Sequence, residues 1–199
     1  MAAKGRLVLA SSNRGKLAEL QPLLAGAGYA LVTQGELGVG DAIEDGRSFI
    51  ENALIKARHA AAATGLPALA DDSGIVVDAL GGAPGLHSAR YAGVHGDAQA
   101  NNRKLLEALR GVPEAGRGAR FVAVLVLLRH ADDPLPLIAS GIWEGRILES
   151  PLGTHGFGYD PVFFDPVLGR GAGELEPALK NRVSHRAQAL AQLRRLLAC

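Results

Sequence analysis

LASSNRGKLAEL, residues 9–20, starts as the end of an apolar strand, breaks at Ser-Ser-Asn-Arg-Gly-Lys, and resumes with helical spacing. Leu7–Ala10 reads as a buried strand, and Lys16–Ala25 as a helix carrying Leu17, Leu20, Leu23 and Leu24 on one face. The break between them decides how the strand and helix are used. Gly15-Lys16 invites a phosphate-loop reading, because backbone N–H groups at a helix start and a lysine ammonium both favour an anion. The spelling departs from that loop: Ala10 stands where its first glycine belongs, and Leu17 follows Lys16 where a Ser or Thr is required. Two readings remain, an anion site of another kind or a plain helix start with Asn13 as its cap.

Outward from this stretch, Gly26 and Gly28 close the first helix and Ala30–Thr33 makes a second strand. Ser48 and Glu51 form an S-x-x-E capping box for a long helix, Phe49–Thr64, which Gly65 and Pro67 end. Its Asn52, Lys56 and His59 fall on one polar stripe, apart from the stripe of Phe49, Ala53, Ala57 and Ala60. Pro67–Asp71 reads as a strand ending in Asp-Asp-Ser-Gly, followed by Ile75–Leu80 and the turn-rich GGAPG at 81–85. Asp97 caps a helix to Arg110 that Gly111 and Pro113 stop. Arg120–Arg129 and Leu135–Ile142 read as strands joined by a short turn, hence antiparallel, and Ser184 caps a last helix burying Leu190, Leu193, Leu196 and Leu197. Early parallel connections and a late hairpin predict an α/β fold, a mixed β-sheet flanked by helices.

The 199 residues suit one domain, and 48% hydrophobic with 21% charged residues is a globular composition. A net charge of +1 argues against a broad grip on nucleic acid. The single cysteine, Cys199, excludes an internal disulfide framework and a Cys-rich zinc site, which fits a reducing cytoplasm. Leu7–Ala10 is too short for a signal-peptide core, and no segment approaches the ~20 apolar residues of a membrane helix.

Four polar clusters stand where apolar runs end, the place an α/β fold gathers a site. The first is Ser11–Lys16. The second is ADDSG, residues 70–74, where alternation along an extended chain sends only one of Asp71 and Asp72 into a cleft; the competing reading is a turn rich in Asp, Ser and Gly. The third is GFGYDP, residues 156–161, in which Phe157 can stack on a planar ligand and Asp160 can accept from ring N–H groups; the competing reading is an aromatic-bearing turn. The fourth is Lys180 with Ser-His-Arg at 184–186, whose basic side chains project from the positive end of a helix, an unfavourable place that an anionic or carbonyl-bearing ligand would explain.

Together SSNRGK, EDGRSFIENALIKA, ADDSG, GGAPGLHSARYAG, GFGYDP and SHR, in this order from about Leu7 to Leu197, closely resemble the inosine triphosphate pyrophosphatase family. The resemblance implies a single domain over residues 1–199 in two lobes with an active-site cleft between them, and a homodimer. It implies hydrolysis of ITP, dITP and XTP to the monophosphate and pyrophosphate, with Mg²⁺, cleansing the nucleotide pool. Asp72 would hold the metal and activate water, with Glu44 as a second metal carboxylate. Ser11, Ser12, Asn13, Arg14, Gly15, Lys16 and Lys56 would hold the triphosphate and Ser73 would touch substrate. Phe157, Gly158, Tyr159, Asp160, Lys180, His185 and Arg186 would hold the base and sugar. One departure is Ile43, where family members often carry an acidic residue before Glu44.

The chemistry agrees with these roles. A triphosphate calls for lysines and a carboxylate-held Mg²⁺ that keeps several waters. Hypoxanthine and xanthine present a 6-oxo acceptor where adenine presents a donor, and Arg186 only donates. Rival readings are a Maf-like pyrophosphatase, against which the GFGYDP and SHR motifs count, a nucleotide sensor without turnover, and, more distantly, a nucleic-acid binder.

Overall fold

The computed structural model describes residues 5–25 and 28–198, with the side chains of Arg14, Pro22, Leu23 and Ala25 left out. The expected helix stop at Gly26, the Leu23 side chain and Cys199 thus lie outside the described residues. Seven strands form one sheet: β1 (Gly5–Leu9), β2 (Tyr29–Thr33), β3 (Ala68–Val77), β4 (Gly118–Leu128), β5 (Leu137–Ile147), β6 (Phe163–Asp165) and β7 (Arg170–Gly171), in the order β2-β1-β3-β4-β5-β6-β7. The helices are α1 (Arg14–Ala25), α2 (Phe49–Thr64), α3 (Ala98–Ala108), α4 (Pro177–Val183) and α5 (His185–Leu196). The sheet is mixed, as expected: β1 is parallel to β2 and β3, while β6 is antiparallel to β5 and β7. Ile147 N–H donates to Arg117 C=O at 2.9 Å, setting the end of β5 beside the start of β4, as a hairpin requires.

Helix starts follow local chemistry. Asn13 Oδ1 accepts from the N–H groups of Gly15 and Lys16, Ser48 Oγ from Glu51, and Asp97 Oδ1 from Ala100. In the α2 box the Glu51 carboxylate reaches back one residue further than the motif predicts, to Arg47 N–H at 2.8 Å, and also takes the Ser48 hydroxyl. Gly65 ends α2 with a left-handed φ of 67°, a conformation that suits glycine.

Three expectations are corrected. Asp-Asp-Ser-Gly is no turn: β3 runs unbroken from Ala68 to Val77 through it. Leu196, expected in the core, is 38% exposed, while Leu190 and Leu193 are buried. Residues 177–183, where no element was foreseen, form α4, opened by Pro177.

The chain divides into two compact units, one made of the chain up to Asp72, Ala123–Gly141 and the chain from Gln188, the other of Ser73–Val122 and Ile142–Ala187. In the first, strand alternation sorts two cores. Leu7, Leu9 and Leu69 pack with Leu20 and Leu24 of α1 and Ala189, Leu190 and Leu193 of α5. Val8, Ala10, Ala68 and Ala70 pack with the alanine stripe Ala53, Ala57, Ala60 of α2. The second unit centres on Phe121, Trp143, Tyr159 and Phe163, with Leu105 of α3 and Leu109 just past its end. No helix among the described residues is long and apolar enough to cross a membrane.

The β4–β5 turn is pinned by Asp133, whose buried carboxylate takes Arg129 Nε and Nη2 at 2.8 and 2.6 Å and the N–H of Arg129 and Leu135. These donors, the Arg129 side chain first, hold its carboxyl far below the usual carboxylate range. A depressed folded pKa stabilises above the unfolded pKa and is lost as pH falls through the folded one. Asp133→Asn is therefore expected to lower Tm by a few degrees at pH 7. The gap should narrow as pH drops below ~4, where the unfolded carboxyl gains its proton; thermal melts across pH check this.

Candidate active site

In the first unit the chemistry gathers where β3 leaves the apolar core. Alternation directs Asp71 and Asp72 to opposite faces, continuing the series Leu69 and Ala70. Each face meets a lysine. Lys16, on α1, places Nζ 2.9 Å from Asp71 Oδ1 and donates to the Asp71 carbonyl at 2.9 Å. Lys56, on α2, places Nζ 2.5 Å from Asp72 Oδ1 and donates to the same carbonyl at 3.0 Å. Two ammonium groups thus converge on one peptide oxygen between two carboxylates. The expectation that one aspartate avoids the site holds for direction only, since Asp71 is fully buried under Lys16 rather than turned to water.

Burial pushes the Asp72 carboxyl above its ordinary range, with the Lys56 ammonium the main opposing influence. Glu44 lies 3.6 Å from Lys56 Nζ and so shares this cation with Asp72. Ile43 beside it is 84% exposed. The polar stripe of α2 secures the loop that carries Glu44: Asn52 Oδ1 accepts from Gly46 N–H at 2.9 Å, and His59 Nε2 lies 3.0 Å from the Gly40 carbonyl.

Ser11–Lys16 turns out to be a well-made helix start. Ser11 Oγ accepts from Asn13 N–H, Asn13 caps α1, and Ser12 Oγ reaches Asp41 at 3.5 Å. Gly15 and Lys16 N–H are taken by the Asn13 side chain, so the cap reading holds, and Lys16 stands at Asp71. The Arg14 side chain is outside the described residues.

In the second unit, GFGYDP and the SHR helix meet. Asp160 Oδ2 accepts from Phe157 N–H at 2.7 Å and from Lys180 Nζ at 2.6 Å, with both Asp160 and Lys180 almost wholly buried. Gly156 has φ +77°, and a Cβ there would stand 2.1 Å from Asp160 Oδ2, so this tight turn demands glycine. Lys180 Nζ lies 4.7 Å and Arg186 Cζ 5.4 Å from the Phe157 ring centroid, two cations against one aromatic ring. Arg186, 4% exposed, donates through Nη2 to Ser73 Oγ at 2.8 Å. His185 stacks on Phe121 with centroids 4.8 Å apart and planes 9° apart. Ser184 Oγ caps α5 through Ala187 N–H at 3.3 Å. Tyr159 belongs to the core instead: 6% exposed, its phenol kept protonated by burial, it donates to the Ser88 carbonyl at 2.8 Å.

A hollow of about 710 Å³ lined by Leu106, Leu109, Val112 and Arg117 contains none of these residues. Its Arg117 is spent on the carbonyls of Leu109, Ile147 and Leu148, a structural use.

The arrangement is that of an α/β protein with a lysine-flanked carboxylate in one unit and an aromatic ring met by two cations in the other. The Ham1 family model matches residues 7–196. A dITP/XTP pyrophosphatase of Xanthomonas campestris is 65% identical over 191 residues, 96% of each chain, and one of Pseudomonas aeruginosa is 59% identical over 192 residues, again 96% of each. A HAM1 protein from Coxiella burnetii superposes with a TM-score of 0.89 at 49% identity, covering 100% of this chain and 99% of its own. The Ham1 protein of Staphylococcus aureus gives 0.85 at 36% identity, covering 97% and 98%. The chain belongs to the Ham1 family.

Proposed function

We propose that this protein hydrolyses the non-standard purine nucleoside triphosphates ITP, dITP and XTP to the monophosphate and pyrophosphate, acting on the cytoplasmic nucleotide pool as a homodimer. The observation that carries this reading is the buried Asp72 carboxylate at Lys56, with Lys16 and Lys56 converging on the adjoining Asp71 carbonyl. The names borne by the relatives, dITP/XTP pyrophosphatase, support the same substrates.

In this mechanism a water oxygen attacks the α-phosphorus, its proton passes to Asp72, and the bond from that phosphorus to the α–β bridging oxygen breaks with pyrophosphate leaving. A base needs affinity for the proton it takes, and burial raises that of Asp72 above an ordinary carboxylate's. Lys16 and Lys56 offset the growing charge on the phosphates. Asp72 and Glu44, which share Lys56, suit Mg²⁺, an ion that takes one or two carboxylates and keeps its waters. When bound, the ion supplies charge neutralisation and orientation of the phosphates. Phe157 stacks on the base and Arg186 donates to its 6-oxo group, with Lys180 beside the same ring and His185 next to Arg186 in sequence.

Pyrophosphate release from ITP, XTP, dITP, GTP, ATP and UTP with Mg²⁺ tests the reading. The first three are expected to exceed ATP and UTP in kcat/KM by at least ~100-fold, since adenine leaves a buried donor unpaired. Binding of ITP without turnover would make the protein a sensor, and preference for UTP would overturn the purine assignment. Lys16→Ala and Lys56→Ala are each expected to cut kcat/KM by about 10²-fold without reordering the bases. A reordered panel would move either lysine away from the phosphates. Sedimentation at micromolar concentration is expected to show a dimer; a stable monomer would overturn that part.

A further inference from the structure

We propose that Asn102 is a positioning residue for base recognition, acting through the carbonyl of Gly158; this rests on the reading above in which Phe157 takes the base. Asn101 and Asn102 lie in the first turns of α3, both buried, although asparagine is a poor helix former and the rest of that face is Leu105 and Leu109. Each is held by a loop. Asn101 takes Ala92 N–H at 2.7 Å and donates to the Ala89 carbonyl at 3.3 Å, fixing the turn of GLHSARYAG. Asn102 Nδ2 donates to the Gly158 carbonyl at 3.0 Å, bridging 56 positions of sequence. Its Oδ1 is buried with no hydrogen-bond partner among the described residues. A leucine would fill such a place without stranding an acceptor. The asparagine is there for one bond, the one to Gly158.

That bond is placed one residue beyond Phe157. Gly158 has φ +61° and no side chain to restrict it, so its peptide can rotate unless something holds it. On one side Phe157 N–H is held by Asp160, and on the other the Tyr159 hydroxyl is held by the Ser88 carbonyl. Asn102 supplies the hold between them. Ser88 is itself anchored, its Oγ taking Ile75 N–H from β3 at 2.9 Å. The GLHSARYAG motif, which touches no proposed step of the reaction, thereby acquires a use. It and α3 together hold Gly158 and Tyr159, the two residues that follow Phe157.

Asn102→Leu and Asn102→Asp both lose the donor, one by an apolar isostere and one by a carboxylate of the same size. In either variant KM for ITP is expected to rise at least ~10-fold while kcat changes less than ~3-fold, and the ITP to ATP ratio of kcat/KM falls. Amide exchange at Phe157 and Asp160, whose N–H groups are bonded within this loop, should speed up against wild type, a readout that needs no turnover. Unchanged KM and ratio in a folded variant would overturn the proposal, as would an equal loss of kcat on ITP and ATP or unchanged exchange at these amides. Should wild type itself fail to prefer ITP over ATP, the functional reading falls first, and the exchange measurement still decides whether Asn102 holds the loop.

Discussion

Asp72→Asn is expected to lower kcat for ITP by at least ~10³-fold while nucleotide affinity changes little, the upper part of the range for removing a positioned general base. The amide accepts no proton at neutral pH and ligates Mg²⁺ poorly, whereas the lysines that meet the phosphates stay in place. Pyrophosphate release gives the rate and calorimetric titration gives the affinity. A near-normal kcat would remove Asp72 from its role. Asp71→Asn makes the comparison sharper. Its carboxylate serves Lys16 on the opposite face, so the variant should retain far more turnover but lose about 3 kcal/mol of stability, the low end for leaving one member of a buried ion pair alone. If Asp71→Asn proves the more damaging to kcat, the two faces of β3 have exchanged roles.

The helix caps at Asn13, Ser48, Asp97 and Ser184 were legible because a cap is a transaction among neighbours, settled within three residues. The alanine stripe of α2 was legible for the same kind of reason, through its period. The continuity of β3 was not. Two adjacent aspartates argue for a turn until their charges are met, and the ammonium groups that meet them come from Lys16 and Lys56, 55 and 16 positions away. Tyr159 sits inside a motif that reads as a binding loop, yet its hydroxyl finds Ser88, 71 residues earlier, and the ring becomes core. Asn102 falls in the same class, since nothing near it in sequence announces a bond to Gly158. Lys180 stood out as a lone cation in the sequence, but α4, which carries it, is only seven residues long, too short for a periodic pattern to declare itself.

Arg186→Ala is expected to cut kcat/KM for ITP by about 10–100-fold, the scale of one hydrogen bond to a charged group, and to cut that for ATP much less. The physical case begins with cost. Arg186 stands second in α5, where the helix dipole opposes a cation, and a side chain serving only solubility would extend into water and relieve that opposition. Instead the residue is 4% exposed, with its guanidinium against the Phe157 ring and Nη2 on Ser73 Oγ. Ser73 Oγ fixes the fork in direction, so Ser73→Ala should produce a smaller loss of the same kind. Arg186→Lys should restore charge but not the planar fork, and so recover little of the ITP to ATP ratio. An unchanged ratio in Arg186→Ala would show that the arginine does not read the base. A fall shared equally by both nucleotides would assign it to the phosphates or to the fold, leaving Phe157 and Lys180 to account for base choice.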